Sequence, residues 1–255
     1  MIEARAHAKI NWSLRITGKR ADGYHDLETV FQTISLHDTL ILREADRLTL
    51  SCDDPSIPVD ESNLIVRAAR ALGKTAAIEL RKRIPAGGGL GGGSSDAATT
   101  LRVLGGDRSD LADIALSLGS DVPFFLIGGT AYATGRGEIL TPMPPIAASL
   151  LLVLPEERVM TKDAFARITR YSQPQGMNAP FTNDFEEPVF ALLPRLREYK
   201  QRLYDAGAKW AGMSGSGSTI FGAFDNAAAR DRAAASFADL RVERAETISA
   251  SVRVP

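Results

Sequence analysis

Six of the 22 glycines in this chain of 255 residues fall between positions 87 and 93, in Ile84-Pro-Ala-Gly-Gly-Gly-Leu-Gly-Gly-Gly-Ser-Ser-Asp96. Glycine lets successive backbone N–H groups converge on one point with no Cβ in the way. Where such a loop opens into a helix, the unpaired amides of the first turn and the helix dipole both favour an anion. Ser94 and Ser95 add hydroxyls at the helix start, as donors or as contacts to a phosphate-bound metal. The chemistry expected of this segment is therefore phosphate binding. It is not a P-loop, since no lysine follows its glycines, and Gly73-Lys-Thr75 imitates only the end of one, with Ala68 where the first glycine belongs. Gly87-x-Gly89-x-x-Gly92 does satisfy the dinucleotide fingerprint, which leaves a dinucleotide-binding oxidoreductase open. Against that, roughly 80 residues precede the loop, and no strand ending in an acid follows about 20 positions on. A second glycine loop, Ala211-Gly-Met-Ser-Gly-Ser-Gly-Ser218, is suited to closing over the far side of a triphosphate or over its acceptor. No serine in it has glycine at both −2 and +2, so it is not a nucleophile elbow.

The elements that must position these loops can be read around them. Residues 76–83 read as a strand with Ile78 and Leu80 on one face. After the glycines, Ala97, Leu101 and Leu104 recur at helical spacing until Gly105-Gly106. Ser109 is expected to cap a second helix carrying Leu111, Ile114, Ala115 and Leu118, and Ser120-Asp-Val-Pro123 then reads as a loop. Ser62 or Asn63 caps an earlier helix that ends at Gly73. Residues 9–16, 28–35 and 39–43 are strand candidates, and 148–154 is an apolar run suited to a buried strand. Helices are expected over 162–171, 194–206 and 226–240, with strands near Lys209 and over 219–224. The whole is α+β. The Pro-rich Thr141-Pro-Met-Pro-Pro145 is the expected division between an N-terminal unit, 1–145, and a C-terminal one, 146–255.

Composition narrows the function classes. An apolar fraction of 44% and a charged fraction of 24% belong to a globular protein. Thirty basic and 31 acidic residues leave a formal net charge of −1, which gives no field for nucleic acid or an anionic membrane, so a polyanion must be held by a local site. The single cysteine, Cys52, excludes an intramolecular disulfide, and three histidines (His7, His25, His37) make a poor basis for a zinc site. The N-terminal stretch lacks the apolar segment of a signal peptide and no run of 18 apolar residues occurs, so we expect a soluble cytoplasmic protein, monomeric or weakly dimeric; Asn11-Trp-Ser13 matches the glycosylation pattern by chance.

Three segments resemble the three motifs of the GHMP kinase superfamily, small-molecule kinases named for galactose, homoserine, mevalonate and phosphomevalonate: Ala8-Lys-Ile-Asn11, Pro85-Ala-Gly-Gly-Gly-Leu-Gly-Gly-Gly-Ser-Ser95 and Gly212-Met-Ser-Gly-Ser-Gly217. Their order and spacing agree over nearly the whole chain. Gly18-Lys-Arg-Ala-Asp-Gly-Tyr-His25, Val30-Phe-Gln32, Asn63-Leu-Ile-Val-Arg-Ala-Ala69, Leu118-Gly-Ser-Asp-Val-Pro123 and Gly135-Arg-Gly-Glu138 are similar to the branch that phosphorylates the 2-hydroxyl of 4-diphosphocytidyl-2-C-methyl-D-erythritol in the non-mevalonate isoprenoid pathway. The resemblance implies a ribosomal S5-like N-terminal domain, a ferredoxin-like C-terminal domain and an active site in the cleft between them. It implies ATP and Mg²⁺, with ATP on Pro85, Ala86, Gly87, Gly88, Gly89, Leu90, Gly91, Gly92, Gly93, Ser94 and Ser95, and no assigned protein ligand for the metal. It makes Asp121 the base and Lys9 its partner, which suits a transfer that needs positioning, charge neutralisation and an acceptor for the hydroxyl proton. It places Asn11 near the substrate, Tyr24 and His25 on the cytosine, and Thr161 and Phe165 on the cytidine from the second domain.

Three departures stand out: the stretch between Leu50 and Pro85 is short, which is expected to alter the adenine pocket; Asp96 stands where asparagine is common; and the last ~30 residues carry no motif. The alternatives are a sibling kinase acting on mevalonate, homoserine or a sugar, the oxidoreductase, and a non-catalytic nucleotide-binding regulator, against which Lys9 and Asp121 argue. Because oriented amides, one lysine and a metal replace bulk charge, nucleotide binding is expected to rise strongly with Mg²⁺ and to change little with NaCl in a titration of each; a steep salt dependence at fixed Mg²⁺ would contradict this.

Overall fold

The alternation Ala8-Lys-Ile-Asn-Trp12 puts three apolar side chains on one face of a strand and two polar ones on the other. In the computed structural model, which describes residues 1–249, this segment lies in β1 (Ile2–Lys19), with Ala8, Ile10 and Trp12 buried and Lys9 and Asn11 on the opposite face. β1 pairs antiparallel with β2 (His25–Arg43) along nearly its full length. The two strands expected at 28–35 and 39–43 are thus one strand. The polar interruption at Asp38 does not break it, because the buried carboxylate is met by the Lys82 ammonium. Three register shifts bend the long hairpin.

β3 (Thr49–Cys52), α1 (Leu64–Ala71) and β4 (Ala77–Arg81) follow, with the Asn63 carboxamide accepting from the Ile65 amide as the cap of α1. Then come α2 (Gly92–Gly105), α3 (Leu111–Leu118), α4 (Val122–Ile127), β5 (Thr130–Thr134) and β6 (Ile139–Pro142). Ser109 does not cap α3: Asp110 stands at the N-cap, and Arg108 holds its carboxylate. The segment expected as a loop at 120–123 instead opens α4, with Asp121 at the N-cap and Pro123 in the first turn, where a missing N–H costs nothing. The six-stranded sheet runs β3-β4-β2-β5-β6, with β1 on the other edge of β2.

The C-terminal half is built from β7 (Ser149–Val153), α5 (Thr161–Ala166), α6 (Glu186–Leu192), α7 (Pro194–Asp205), β8 (Trp210–Met213), β9 (Ile220–Phe224), α8 (Ala227–Ala234) and β10 (Val242–Glu246). Its antiparallel sheet has the order β10-β7-β9-β8. The helix expected over 162–171 stops at Ala166, the one over 226–240 breaks into α8 and a 3₁₀ turn, and β3, β5, β6, β10 and α6 were not anticipated. β7 is buried on both faces: Leu150, Leu152 and Leu154 meet Ile10 and Trp12 of the first sheet, and Leu151 and Val153 meet the helices behind. Four layers result, with α1 to α4 on the outer face of the first sheet and the ferredoxin-like helices on the outer face of the second. The Pro-rich segment begins in the last two residues of β6, Thr141 and Pro142, and runs on into the connection to β7.

A buried charge cluster ties β2, β4 and α2 together behind the glycine segment. Lys82 Nζ binds Asp38, and lies 3.1 Å from Asp96 Oδ2. Asp38 Oδ1 also accepts from the amides of Arg83 (2.6 Å) and Ile84 (2.8 Å), fixing the chain where it enters the glycines. Asp96 is therefore not a helix-start charge facing water but a buried partner of Lys82, and its Oδ1 has no hydrogen-bond partner among the described residues. Burial pushes its carboxyl up to about 8, opposed by Lys82 and reinforced by Asp38. A carboxyl with a higher pKa folded than unfolded binds its proton preferentially in the native state, so stability is lost as pH rises from ~4 to about 8 and levels off above. Asp96→Asn keeps the neutral shape and leaves Lys82 balanced by Asp38. Its urea midpoint is expected to be less pH-dependent than the wild type's between about pH 5 and 9, and parallel pH profiles would contradict the cluster's role.

Candidate active site

Lys9 is almost wholly inside the protein, its side chain 4% exposed, yet it carries an ammonium. An unpaired buried charge is costly, so its surroundings must answer it. Nζ donates to Asn11 Oδ1 at 2.6 Å and to the Gly89 carbonyl at 2.8 Å, and lies 3.9 Å from Asp121 Oδ2. Burial lowers its pKa, with the Asp121 charge opposing. Asn11 is oriented in turn: its amide donates to Thr29 Oγ1 at 2.7 Å, and that hydroxyl donates to the Ser13 carbonyl at 2.6 Å. Asp121, at the head of α4, is 36% exposed and faces the cleft, where it can accept a proton from a ligand.

The glycine segment is held by its carbonyls. Leu90 O accepts from the Lys9 amide, Gly89 O from Lys9 Nζ and Ser214 Oγ, and Gly88 O from the Thr219 amide. Two glycines are obligatory. Gly89 has φ +76° and a Cβ there would lie 2.0 Å from the Ser214 carbonyl; Gly91 has φ +70° and its Cβ would lie 2.7 Å from the Phe125 ring. The loop ends at the N-terminus of the 14-residue α2, which no side chain caps, leaving the first-turn amides of Gly92, Gly93 and Ser94 for an anion. The donor set fits a polyphosphate.

The second glycine loop meets the first over Lys9: a Cβ on Gly215 would stand 3.3 Å from Lys9 Nζ. Asn183 holds this loop in place, donating to the carbonyls of Met213 (2.7 Å) and Gly215 (2.8 Å). Further along the cleft, Tyr24 is 51% exposed, His25 stacks on Phe165 at 4.5 Å and 15°, and Tyr171 lies 6.3 Å from His25. Burial, then Lys19, lowers the His25 pKa, so the imidazole is neutral near neutral pH and offers one donor and one acceptor. Thr161 Oγ1 lies 3.1 Å from Ser216 Oγ across the same cavity.

One cleft of about 1000 Å³ collects Lys9, Asn11, Tyr24, His25, Asp121, Thr161 and Phe165 with Pro85, Ala86, Gly87, Gly88, Gly89, Gly91, Gly92, Gly93 and Ser94. Two expected contacts turn away. The Leu90 side chain is packed in the core, and Ser95 is buried with its hydroxyl donating to the His7 carbonyl at 2.6 Å and its amide to Gly91 O. Sequence reasoning missed Thr29 and Asn183, whose partners are distant in the chain, and it quoted Arg136 without a role. The dinucleotide-binding alternative fails on topology: β4 runs antiparallel to β2, and α2 leads into α3 rather than into a parallel strand. Among the described residues no helix is long and apolar enough to cross a membrane, and no group of three or more His, Cys, Asp and Glu side chains could hold a metal.

Residues 63–129 match the GHMP kinases N terminal domain, and residues 162–240 match GHMP kinases C terminal. The chain is 42% identical over 258 residues to the 4-diphosphocytidyl-2-C-methyl-D-erythritol kinase of Chlorobium chlorochromatii, covering 89% of this chain and 90% of that protein. It is 43% identical to the same-named enzyme of Chlorobium phaeobacteroides, over 92% of this chain and 93% of that protein. A crystal structure of 4-(cytidine 5′-diphospho)-2C-methyl-D-erythritol kinase superposes with a TM-score of 0.84 at 34% identity, covering 96% of this chain and 99% of that one. The mevalonate kinase of Methanococcus jannaschii, with a TM-score of 0.69 at 13% identity over 97% of this chain and 98% of that one, shares the fold. With both domains matched and full-length relatives above 40% identity, this chain belongs to the 4-diphosphocytidyl-2-C-methyl-D-erythritol kinase family of the GHMP kinases.

Proposed function

We propose that this chain transfers the γ-phosphoryl group of ATP to the 2-hydroxyl of 4-diphosphocytidyl-2-C-methyl-D-erythritol, in the non-mevalonate route to isoprenoid precursors. The observation that carries the reading is the Lys9–Asp121 pair standing between an anion-binding glycine loop and an aromatic cleft end. Such a transfer asks for little covalent chemistry and much positioning. In this reading the Asp121 carboxylate takes the hydroxyl proton. The Lys9 ammonium, held by Asn11 and Gly89 O, stabilises the alkoxide charge that develops, and burial strengthens that field. The triphosphate lies on the amides from Gly87 to Ser94, and the second glycine loop keeps water out. Ser94, whose hydroxyl lines the cleft, would help the phosphate oxygens hold Mg²⁺, and the metal would supply charge neutralisation there, as is usual where few protein carboxylates are offered.

The substrate class follows from the cleft's other end. Tyr24, His25, Phe165 and Tyr171 offer flat faces and a neutral imidazole to a pyrimidine, features that homoserine or mevalonate would leave unused. The same reading keeps the division at 1–145 and 146–255, and a soluble cytoplasmic monomer or weak homodimer acting on dissolved small molecules.

An ADP-release assay across acceptors tests the substrate: turnover is expected with 4-diphosphocytidyl-2-C-methyl-D-erythritol and not with mevalonate, homoserine or galactose, and the reverse pattern would overturn the assignment. Asp121→Asn and Lys9→Met are each expected to lower kcat on the order of 10²–10⁴-fold with far smaller changes in KM, read by steady-state kinetics on variants whose melting curves show them folded. Full turnover by a folded Asp121→Asn protein would remove Asp121 as the base.

A further inference from the structure

Tyr24 projects from an exposed turn, with its ring half in solvent. Its backbone is anchored, the carbonyl accepting from the Arg20 amide at 2.8 Å and the amide donating to Asp22 Oδ1 at 3.1 Å, but nothing on its own segment fixes the ring. What fixes it comes from the β5–β6 turn, more than 100 residues away. The Arg136 guanidinium lies over one face of the ring, with Cζ 4.4 Å from the centroid.

That turn is built to deliver the arginine. Leu27 donates its amide to the Gly135 carbonyl at 2.7 Å, joining the turn to β2 two residues after His25. Gly135 and Gly137 have φ of +69° and +108°, conformations that suit glycine. The Glu138 carboxylate folds back onto the Arg136 amide and lies 3.7 Å from its Nε, so close to Gly135 that a Cβ there would stand 2.6 Å from Glu138 Oε2. The Arg136 side chain is thereby 23% exposed and lines the same cleft as Tyr24, His25 and Phe165.

We infer that Arg136 is a positioning residue for the nucleobase: it braces one face of Tyr24 so that the other stands ready to receive the base. This rests on the cytidine-bearing substrate proposed above. An exposed aromatic ring that must be immobilised on binding loses affinity to the ordering, and a cation already packed on its back face removes that loss in advance. A guanidinium suits the task because it stays charged and stacks flat on an aromatic face, which an ammonium does not. The brace acts on the acceptor substrate alone, because the glycine loop and the Lys9–Asp121 pair make no contact with it among the described residues.

The experiment measures Kd by calorimetry for 4-diphosphocytidyl-2-C-methyl-D-erythritol, and for cytidine 5′-diphosphate as a probe of the nucleotide end, with kcat and the KM for ATP measured alongside. Arg136→Met is expected to raise both Kd values roughly fivefold to tenfold while kcat at saturation and the ATP KM stay within about twofold. Arg136→Lys, which keeps charge without the flat face, is expected to fall between. In a Tyr24→Leu background Arg136→Met is expected to add less than about twofold, since the brace then has nothing to hold. Unchanged Kd in Arg136→Met and Arg136→Lys, an undiminished loss in the Tyr24→Leu background, or a matching rise in the ATP KM would each overturn the inference. A wild type that binds neither ligand would instead sink the substrate reading and the brace with it, whereas tight wild-type binding with an indifferent Arg136→Met sinks the brace alone.

Discussion

A buried ammonium is the constraint on which the rest of this site depends. Lys9 has given up almost all contact with water, and a cation in that position persists only where several elements converge to satisfy it. Each element contributes one partner: β1 supplies Asn11, the glycine segment supplies the Gly89 carbonyl, and α4 supplies Asp121. The need for that convergence accounts for much of the local sequence. Gly89 must present its carbonyl to Lys9 while leaving room for Ser214, Gly91 must pass under Phe125, and Gly215 must come within contact of the ammonium without a Cβ. One charge thus brings together two glycine loops that are distant in the chain and belong to different sheets.

The arrangement also resolves how a chain with a net charge of −1 can take two polyphosphate ligands. The positive potential is local and made largely of oriented amides at the start of α2, with the charges behind it already neutralised. Lys82 is held by Asp38 and Asp96, and Asp38 braces the loop's entrance by accepting from the amides of Arg83 and Ile84. The other end of the cleft is walled by the rings of Tyr24, His25, Phe165 and Tyr171 with Lys19, Arg136 and Lys162 beside them; in the proposed reading this divides the cavity into a phosphate half and a nucleobase half with the Lys9–Asp121 pair at the junction. In the proposed transfer, that junction is where the acceptor hydroxyl has to lie.

Much of this was legible in the sequence because local patterns carry it. The glycine cluster marks by composition the loop that opens α2 in the cleft, the alternation from Ala8 to Trp12 places Lys9 and Asn11 on one face, and the apolar run at 148–154 holds a strand, 149–153, buried on both faces. What was not legible depends on partners far apart in the chain. The candidates at 28–35 and 39–43 read as two strands because nothing nearby says that the buried Asp38 between them is neutralised by Lys82. Ser120 to Pro123 looked like a loop because a six-residue helix has too little periodicity to read, although Pro123 is well placed in its first turn. Ser95 looked like a ligand contact, but its hydroxyl serves the His7 carbonyl. Thr29, Asn183 and Arg136 act through residues 16 to 112 positions away, a relation that no short window contains.

The central claim is that Lys9 and Asp121 mark the point of phosphoryl transfer. A crystal structure of the ternary complex with 4-diphosphocytidyl-2-C-methyl-D-erythritol and a non-hydrolysable ATP analogue tests it most directly. The account predicts the erythritol 2-hydroxyl within hydrogen-bonding distance of Asp121 and in line with a γ-phosphate that rests on the amides of Gly87 to Ser94. A hydroxyl turned away from Asp121, or a triphosphate lying off the glycine loop, would contradict it.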